Sequence, residues 1–203
     1  MGCGTSFNFK LLQKFAHGKI LDLGCGKGQA ISKFRNCQKF GIDISKNSIQ
    51  IAKQEYTKIN FQVSSVYKLP FKDNFFDFVY SLDVIEHLEH PEKMLIETKR
   101  ILKPNGIFII QTPNYPIKRF YDFLNFFAPR GFRKTFADDP THIFKFSARS
   151  LKKIVEKHFK ILEIRPRNIL FESKLPFIKN LKKPNNFLGN LLGQKTILIC
   201  QKS

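Results

Sequence analysis

Cysteine is scarce in this chain and does not cluster: Cys3, Cys25, Cys37 and Cys200 are scattered along 203 residues and form no C-x-x-C pair. That spacing argues against a zinc site and against a disulfide framework, so the thiols are expected to be reduced. Long hydrophobic runs are also missing. The longest, such as Ile107 to Ile110 and Thr196 to Cys200, have the length of a strand and leave nothing to span a bilayer. No secretory signal is expected, because the first apolar patch, Phe7 to Phe15, is broken by Lys10, Gln13 and Lys14. A cytoplasmic address follows. No tract is extreme enough to be low-complexity, and the length suits one α/β domain over residues 1–203 rather than two.

Acidic residues are few as well, with 16 Asp+Glu against 35 Lys+Arg and a formal net charge of +19. The excess is uneven: residues 1–113 hold 16 basic and 10 acidic side chains, while residues 114–203 hold 19 and 6. Such a field would attract phosphate-bearing partners, whether anionic lipid, nucleic acid or a phosphorylated metabolite. A lysine-rich composition that simply coats the surface is the competing reading. Met1-Gly2-Cys3-Gly4-Thr5-Ser6 carries the pattern for N-myristoylation beside a palmitoylatable cysteine, against the plainer reading of a frayed terminus.

What is present is an alternation of short apolar runs with amphipathic stretches, the signature of βαβ units and a parallel sheet. Strands are expected at Lys19 to Cys25, Phe40 to Ile44, Asn60 to Val66, Phe76 to Leu82 and Ile107 to Thr112. Helices are expected at Gln29 to Arg35, from the Ser45 cap to about Tyr56, and at Pro91 to Leu102, which opens with proline and acid and closes with Lys99 and Arg100. Pro104-Asn105-Gly106 should end that helix. A further helix from Ser147 leads to a strand at Phe159 to Ile164, with which a last strand, Lys195 to Gln201, pairs across a loop rich in Pro, Asn and Gly. Residues 114–146 break the rhythm. They hold eight phenylalanines and two tyrosines, with Ile117, Phe120, Tyr121, Leu124 and Phe127 at helical spacing, and read as a helical cap insertion.

The chemistry is concentrated in Ile20-Leu21-Asp22-Leu23-Gly24-Cys25-Gly26-Lys27-Gly28, a strand that meets alternating glycines before a helix. Glycines at such a turn let the chain bend sharply and let a ligand approach the backbone amides. A dinucleotide site is disfavoured, since Gln29 stands where its third glycine belongs and Asp22 would repel a pyrophosphate. A cofactor with an ammonium group would welcome Asp22. A second acid, Asp43, ends the second strand, where a carboxylate can accept hydrogen bonds from both ribose hydroxyls.

At these residues the sequence resembles a known family. Leu21 to Gly28 looks like the first signature of class I S-adenosylmethionine (SAM)-dependent methyltransferases, and Gly41-Ile42-Asp43 like the second. Leu69-Pro70-Phe71 with Phe75-Phe76-Asp77, Val84-Ile85-Glu86-His87-Leu88, and Arg100 to Gly106 are similar to the subgroup that includes ubiquinone-type O-methyltransferases and many small-molecule enzymes. The resemblance implies a doubly wound, mostly parallel seven-stranded sheet of the Rossmann-like methyltransferase type, with its last strand antiparallel. It places SAM over the carboxyl ends of the first, second and fourth strands. Asp22, Gly24, Cys25, Gly26 and Gly28 would surround the methionine part, Asp43 would hold the ribose and Ile44 would pack on the adenine. Ser65 stands where the family commonly has an aspartate on the adenine amino group, with Val66 beside it, and Ser81 and Leu82 would line the cofactor near the reacting methyl. Asn105 replaces the first glycine of the family's usual turn before the fifth strand, which Asn tolerates because it accepts positive φ.

Methyl transfer asks mainly for an aligned acceptor and removal of its proton. The catalytic candidates are His87 as proton acceptor, Glu86 to orient it and His142 as second. If the stretch after the fourth strand is helical, Asp83, Glu86 and His87 fall on one side of it. The preferred reading uses no metal. The alternative is a divalent ion such as magnesium or manganese on Asp83, Glu86, His87 and His142, resembling the Glu-x-x-Glu-His sites of small-RNA and some ubiquinone-type O-methyltransferases. The acceptor is expected to be a small molecule or lipid, methylated at oxygen, beneath the aromatic cap. The basic residues flanking the apolar stripe at 115–136 would suit peripheral membrane contact. Nucleic acid remains open through an RNA methyltransferase reading, and a non-catalytic SAM-binding partner subunit is the alternative outside catalysis.

Overall fold

Seven strands hydrogen-bond into one sheet: β1 (Lys19–Leu23), β2 (Gln38–Asp43), β3 (Asn60–Val63), β4 (Phe76–Leu82), β5 (Leu102–Pro113), β6 (Lys160–Arg167) and β7 (Lys195–Gln201). This is a computed structural model, which describes residues 9–115, 141–167 and 195–203. Across the sheet the order is β3-β2-β1-β4-β5-β7-β6. The first five strands run parallel, and β7 lies antiparallel between β5 and β6. The chain winds outward from β1 in one direction and from β4 in the other, so a crevice opens at the carboxyl ends of those two strands.

Burial on both faces explains the apolar strands. One face collects Leu21, Leu23, Val79, Phe108 and Ile110; the other takes the alternating Ile20, Phe78, Tyr80 and Ile109. Helices α3 (Pro91–Ile101) and α4 (Ala148–Val155) cover the first face with Met94, Leu95, Leu151 and Val155. Helices α1 (Phe9–Gln13) and α2 (Lys46–Glu55) cover the second with Leu11, Leu12, Ile49 and Ala52. Each such side chain, fully buried, stabilises the fold by about 1.5–3 kcal/mol before entropy is counted. Ser45 caps α2 by accepting from Ser48 N at 3.2 Å, and Ser147 forms a reciprocal capping box with Ser150 at the start of α4.

The structure departs from the expected elements in four places. In place of a helix over Gln29 to Arg35 there is a single 3-10 turn, Ile31–Lys33. Phe34 is already extended and Asn36 has φ 58°, so the chain drives Ile31 and Phe34 into the core and turns at once into β2. Strand β3 stops at Val63 rather than Val66. Strand β5 begins at Leu102, and Pro104-Asn105-Gly106 forms a bulge within it: Phe76 pairs with Leu102 and Phe78 with Ile107, with Asn105 at φ 62°. After β4 there is one 3-10 turn, Ile85–His87, and no longer helix. Most of the cap insertion, the Pro/Asn/Gly-rich loop before β7, and the Gly2-Cys3 pattern lie outside the described residues. Among the described residues no helix is long and apolar enough to cross a membrane.

Candidate functional site

Gly24, Gly26 and Gly28 follow β1 with φ of 77°, 52° and 79°, all in the left-handed region that favours glycine. The three are not equivalent. A Cβ on Gly24 would collide with Val84, whereas one on Gly26 would meet nothing within 4 Å, so the turn is open on the side where Gly26 faces. Gly24 N and Cys25 N both donate to Ile42 O at 2.9 Å, fastening the turn to β2. Asp43 completes the clasp. Its Oδ2 accepts from Gly26 N and its Oδ1 from Ser45 N, each at 2.8 Å, which fixes the carboxylate while leaving lone pairs on both oxygens.

Ile44, next in the chain, is 78% exposed and offers a bare apolar surface beside that carboxylate. Across from it the loop after β3 carries Ser65, whose hydroxyl accepts from Tyr67 N at 3.2 Å and keeps its proton to donate, and the buried Val66. Arg100 holds the next part of this loop. It donates to Leu69 O, Phe71 O and Asp73, and is braced by Glu97, which also accepts from Leu69 N.

Asp22 is buried and accepts from the Tyr80 hydroxyl at 2.8 Å. Burial pushes its carboxyl up to about 7, against the lowering effect of that hydrogen bond. The Cys25 thiol is also buried and its pKa pushed far up, which makes it an unreactive wall of the turn. Ser81, at the end of β4, is fully buried, and its hydroxyl has no hydrogen-bond partner among the described residues. Leu82 beside it is half-buried. An open glycine turn, a fixed acid and a bare isoleucine side by side fit a nucleoside-bearing cofactor with a cationic end. SAM is such a molecule.

The expected acid and imidazole cluster forms, with one member displaced. Glu86 is fully buried; its Oε2 accepts from Thr112 Oγ1 at 2.9 Å, and Oε1 has no partner among the described residues. Burial, and then the nearby Asp83 carboxylate, push its pKa upward. His87 and His142 lie against each other with ring centroids 4.7 Å apart, and one potential ligand atom from each of Glu86, His87 and His142 falls within 4.8 Å of the others. Asp83 does not join them. It sits at φ 56° and its carboxylate is taken by Lys195 and by Gln111 at 3.3 Å, because the chain turns left-handed there instead of starting a helix. Sequence reasoning missed Tyr80, Tyr115, Thr141 and Lys195. Tyr80 is the register partner of Asp22 across β4 and β1, a signal that appears only once the strands are paired.

The sheet order and its single antiparallel inner strand are the fold of the class I methyltransferases. Residues 21–110 match the family model described as a methyltransferase domain, and the chain is similar to proteins named as SAM-dependent methyltransferases. The chain is 31% identical over 109 residues to the ubiquinone biosynthesis O-methyltransferase of Bartonella bacilliformis, covering 51% of this chain and 44% of that one. It is 30% identical over 120 residues to phosphoethanolamine N-methyltransferase 2 of Caenorhabditis elegans, covering 53% and 27%. The matches therefore span less than half the length of these curated relatives. Among solved structures, a SAM-dependent methyltransferase from Archaeoglobus fulgidus superposes with a TM-score of 0.66 at 21% identity, over 96% of this chain and 90% of that one. A Haloferax volcanii methyltransferase, solved in complex with the Trm112 activator, gives 0.66 at 18%, over 91% and 81%. At these identities the structures speak for the fold.

Proposed function

We propose that this chain transfers the methyl group of SAM to a hydroxyl of a small or lipid-like acceptor. The carrying observation is the convergence of Glu86, His87 and His142 at the carboxyl ends of β4 and β5, one strand away from the Asp43 clasp. Asp43 would hold the ribose, Ile44 and Ser65 would meet the adenine, and Asp22 would attract the ammonium group. SAM supplies an electrophilic methyl on a sulfonium. His87 takes the acceptor proton as the oxygen–carbon bond forms and the carbon–sulfur bond breaks, its electron pair passing to sulfur. An acid at Glu86 orients the imidazole.

Relatives named for methylation at oxygen and at nitrogen each match about half of this chain, so the resemblance does not choose the atom. The choice of oxygen rests on the imidazole pair, since a neutral amine needs no base before it attacks. The aromatic, basic composition of 115–136 supports a lipid-like acceptor and contact with a membrane surface, although residues 116–140 lie outside the described structure. Methyl-labelled SAM incubated with the protein and a fractionated cell extract tests this. Label in the lipid or small-molecule fraction as an ether or ester supports the reading, and label confined to RNA or protein overturns it.

A second reading is favoured by one observation, the proximity of a carboxylate and two imidazoles. Glu86, His87 and His142 would then hold magnesium, manganese or a similar ion that lowers the pKa of an acceptor hydroxyl, without Asp83 as a ligand. A protein activator is a further partner reading, supported by the Haloferax volcanii complex and tested by co-purification.

A further inference from the structure

Each ring of the imidazole pair is backed by oxygen on its Nδ1 side. For His87 the partners are the main-chain oxygen of Thr141 at 3.1 Å and Thr141 Oγ1 at 3.0 Å; for His142 the partner is the hydroxyl of Tyr115. A carbonyl oxygen can only accept. The contact with the Thr141 carbonyl thus favours neutral His87 with its hydrogen on Nδ1 and its lone pair on Nε2, while the Thr141 hydroxyl can serve in either direction.

The backing groups are themselves fixed by the main chain. Tyr115 N donates to Phe146 O at 2.9 Å and Phe144 N donates to Glu86 O at 2.9 Å, so the segment 141–146 is sewn both to the exit of β5 and to the turn that carries Glu86 and His87. Three stretches far apart in sequence thereby meet: the turn after β4 brings His87, the segment 141–146 brings His142 and sets the Thr141 oxygens against His87, and the exit of β5 brings the Tyr115 hydroxyl to His142. The Tyr115 ring also has Lys145 Nζ 5.6 Å from its centroid, and the ring is buried.

We propose that Thr141 and Tyr115 are positioning residues of the proton-accepting step: the Thr141 carbonyl fixes His87 as the Nδ1–H tautomer, and the Tyr115 hydroxyl seats His142 against it. The proposal rests on the reading of His87 as the proton acceptor. In that step the acceptor O–H bond breaks, its proton goes to His87 Nε2, and the Nδ1–H bond to Thr141 stays in place. A His87 with its hydrogen on Nε2 would present the wrong nitrogen and could only donate. The arrangement is thus a condition for base chemistry that exists before any acceptor binds.

The full chain, labelled with 15N at histidine, gives the answer without knowledge of the acceptor. His87→Gln and His142→Gln each remove one set of ring signals and so assign the two among the five histidines. At a pH where the rings are neutral, His87 is expected to show a pyrrole-type Nδ1 and a pyridine-type Nε2. In Tyr115→Phe the His142 signals should move toward the average of two tautomers while those of His87 keep their form. A His87 in the Nε2–H form, or averaged in the wild-type protein, overturns the proposal with no variant needed, and unmoved His142 signals in folded Tyr115→Phe overturn the part played by Tyr115. Label transfer by His87→Ala separates the two levels: a variant that still transfers removes the base reading, and the role of both positioning residues with it, even where the tautomer is as expected.

Discussion

Tyr80 donates to Asp22 at 2.8 Å from the directly paired position of the neighbouring strand, so a phenol and a carboxyl share one buried site between β4 and β1. Removed from water, the acid holds its proton up to about pH 7. A cation brought to the crevice would reverse that preference, since it favours the charged carboxylate.

The first expectation is a pH-dependent stability. The pKa of Asp22 is higher in the folded protein than in the unfolded chain, where it is near the usual 3.8, so the folded state binds the proton more tightly. Its contribution is fully present below about pH 4 and is lost as the pH rises toward 7. Urea midpoints should fall over that window for the wild type more steeply than for Asp22→Asn. Equal slopes would show that the carboxyl titrates normally.

SAM affinity should run the other way. If Asp22 faces the ammonium group, binding expels its proton, and the dissociation constant should tighten as the pH rises from about 6 to about 8. Calorimetry in buffers of different ionisation enthalpy measures the proton released directly. No release near neutral pH would remove Asp22 from the cofactor contacts.

Asp43→Ala takes away the clasp on Gly26 N and Ser45 N and, with it, the proposed acceptor for ribose hydroxyls. A loss of about 2–3 kcal/mol in SAM affinity is expected, from charge-assisted hydrogen bonds of this kind. Titration of the folded variant with SAM checks it, and an unchanged affinity would place the ribose elsewhere.

Once an acceptor is in hand, His87→Ala should lower turnover by about 100-fold with SAM affinity retained. A chelator then divides the metal-free reading from the metal reading. Activity that survives chelation supports the imidazole alone; activity lost and restored by magnesium or manganese supports an ion held by Glu86, His87 and His142.

Arg100→Met should destabilise the protein by about 1–3 kcal/mol, since it removes a partly exposed guanidinium that ties the loop 69–73 to α3 and leaves Glu97 and two carbonyls short of a donor. Urea denaturation with an unchanged m value would report the loss. An unchanged midpoint would mean that water replaces the guanidinium at no cost.

The alternation of apolar runs made the parallel half of the sheet legible, because strands buried on both faces leave an unbroken apolar signature, as in Ile107 to Ile110. Local chemistry also read correctly where it is self-contained: Ser45 and Ser147 cap the helices expected of them, and Asn105 takes the positive φ its amide side chain tolerates. The misreadings come from tertiary demands. Gln29 to Arg35 has helical spacing, yet Ile31 and Phe34 are needed in the core and the chain must turn immediately into β2. Asp83 looked like the first member of a helical triad, but a left-handed residue cannot start that helix, and Lys195, 112 residues away, takes its carboxylate. Tyr115 stands in the sequence without any sign that Phe146 and His142 return to it.

Strand β7 is seventh in sequence but sits inside the sheet, with β5 on one side and β6 on the other. During synthesis β6 leaves the ribosome before β7, its one neighbour among the described strands, and β5 emerges with the edge that β7 takes still bare. Ile109 and Ile110 must wait for Ile199 and Leu198 to reach them. Closure of that half is a late, non-local event, the kind that slows folding and lengthens the exposure of unpaired strand edges. The half built from β1 to β4 has no such dependence, so a nascent chain is able to close Asp43 on Gly26 and Ser45 while the edge bearing β6 is still open.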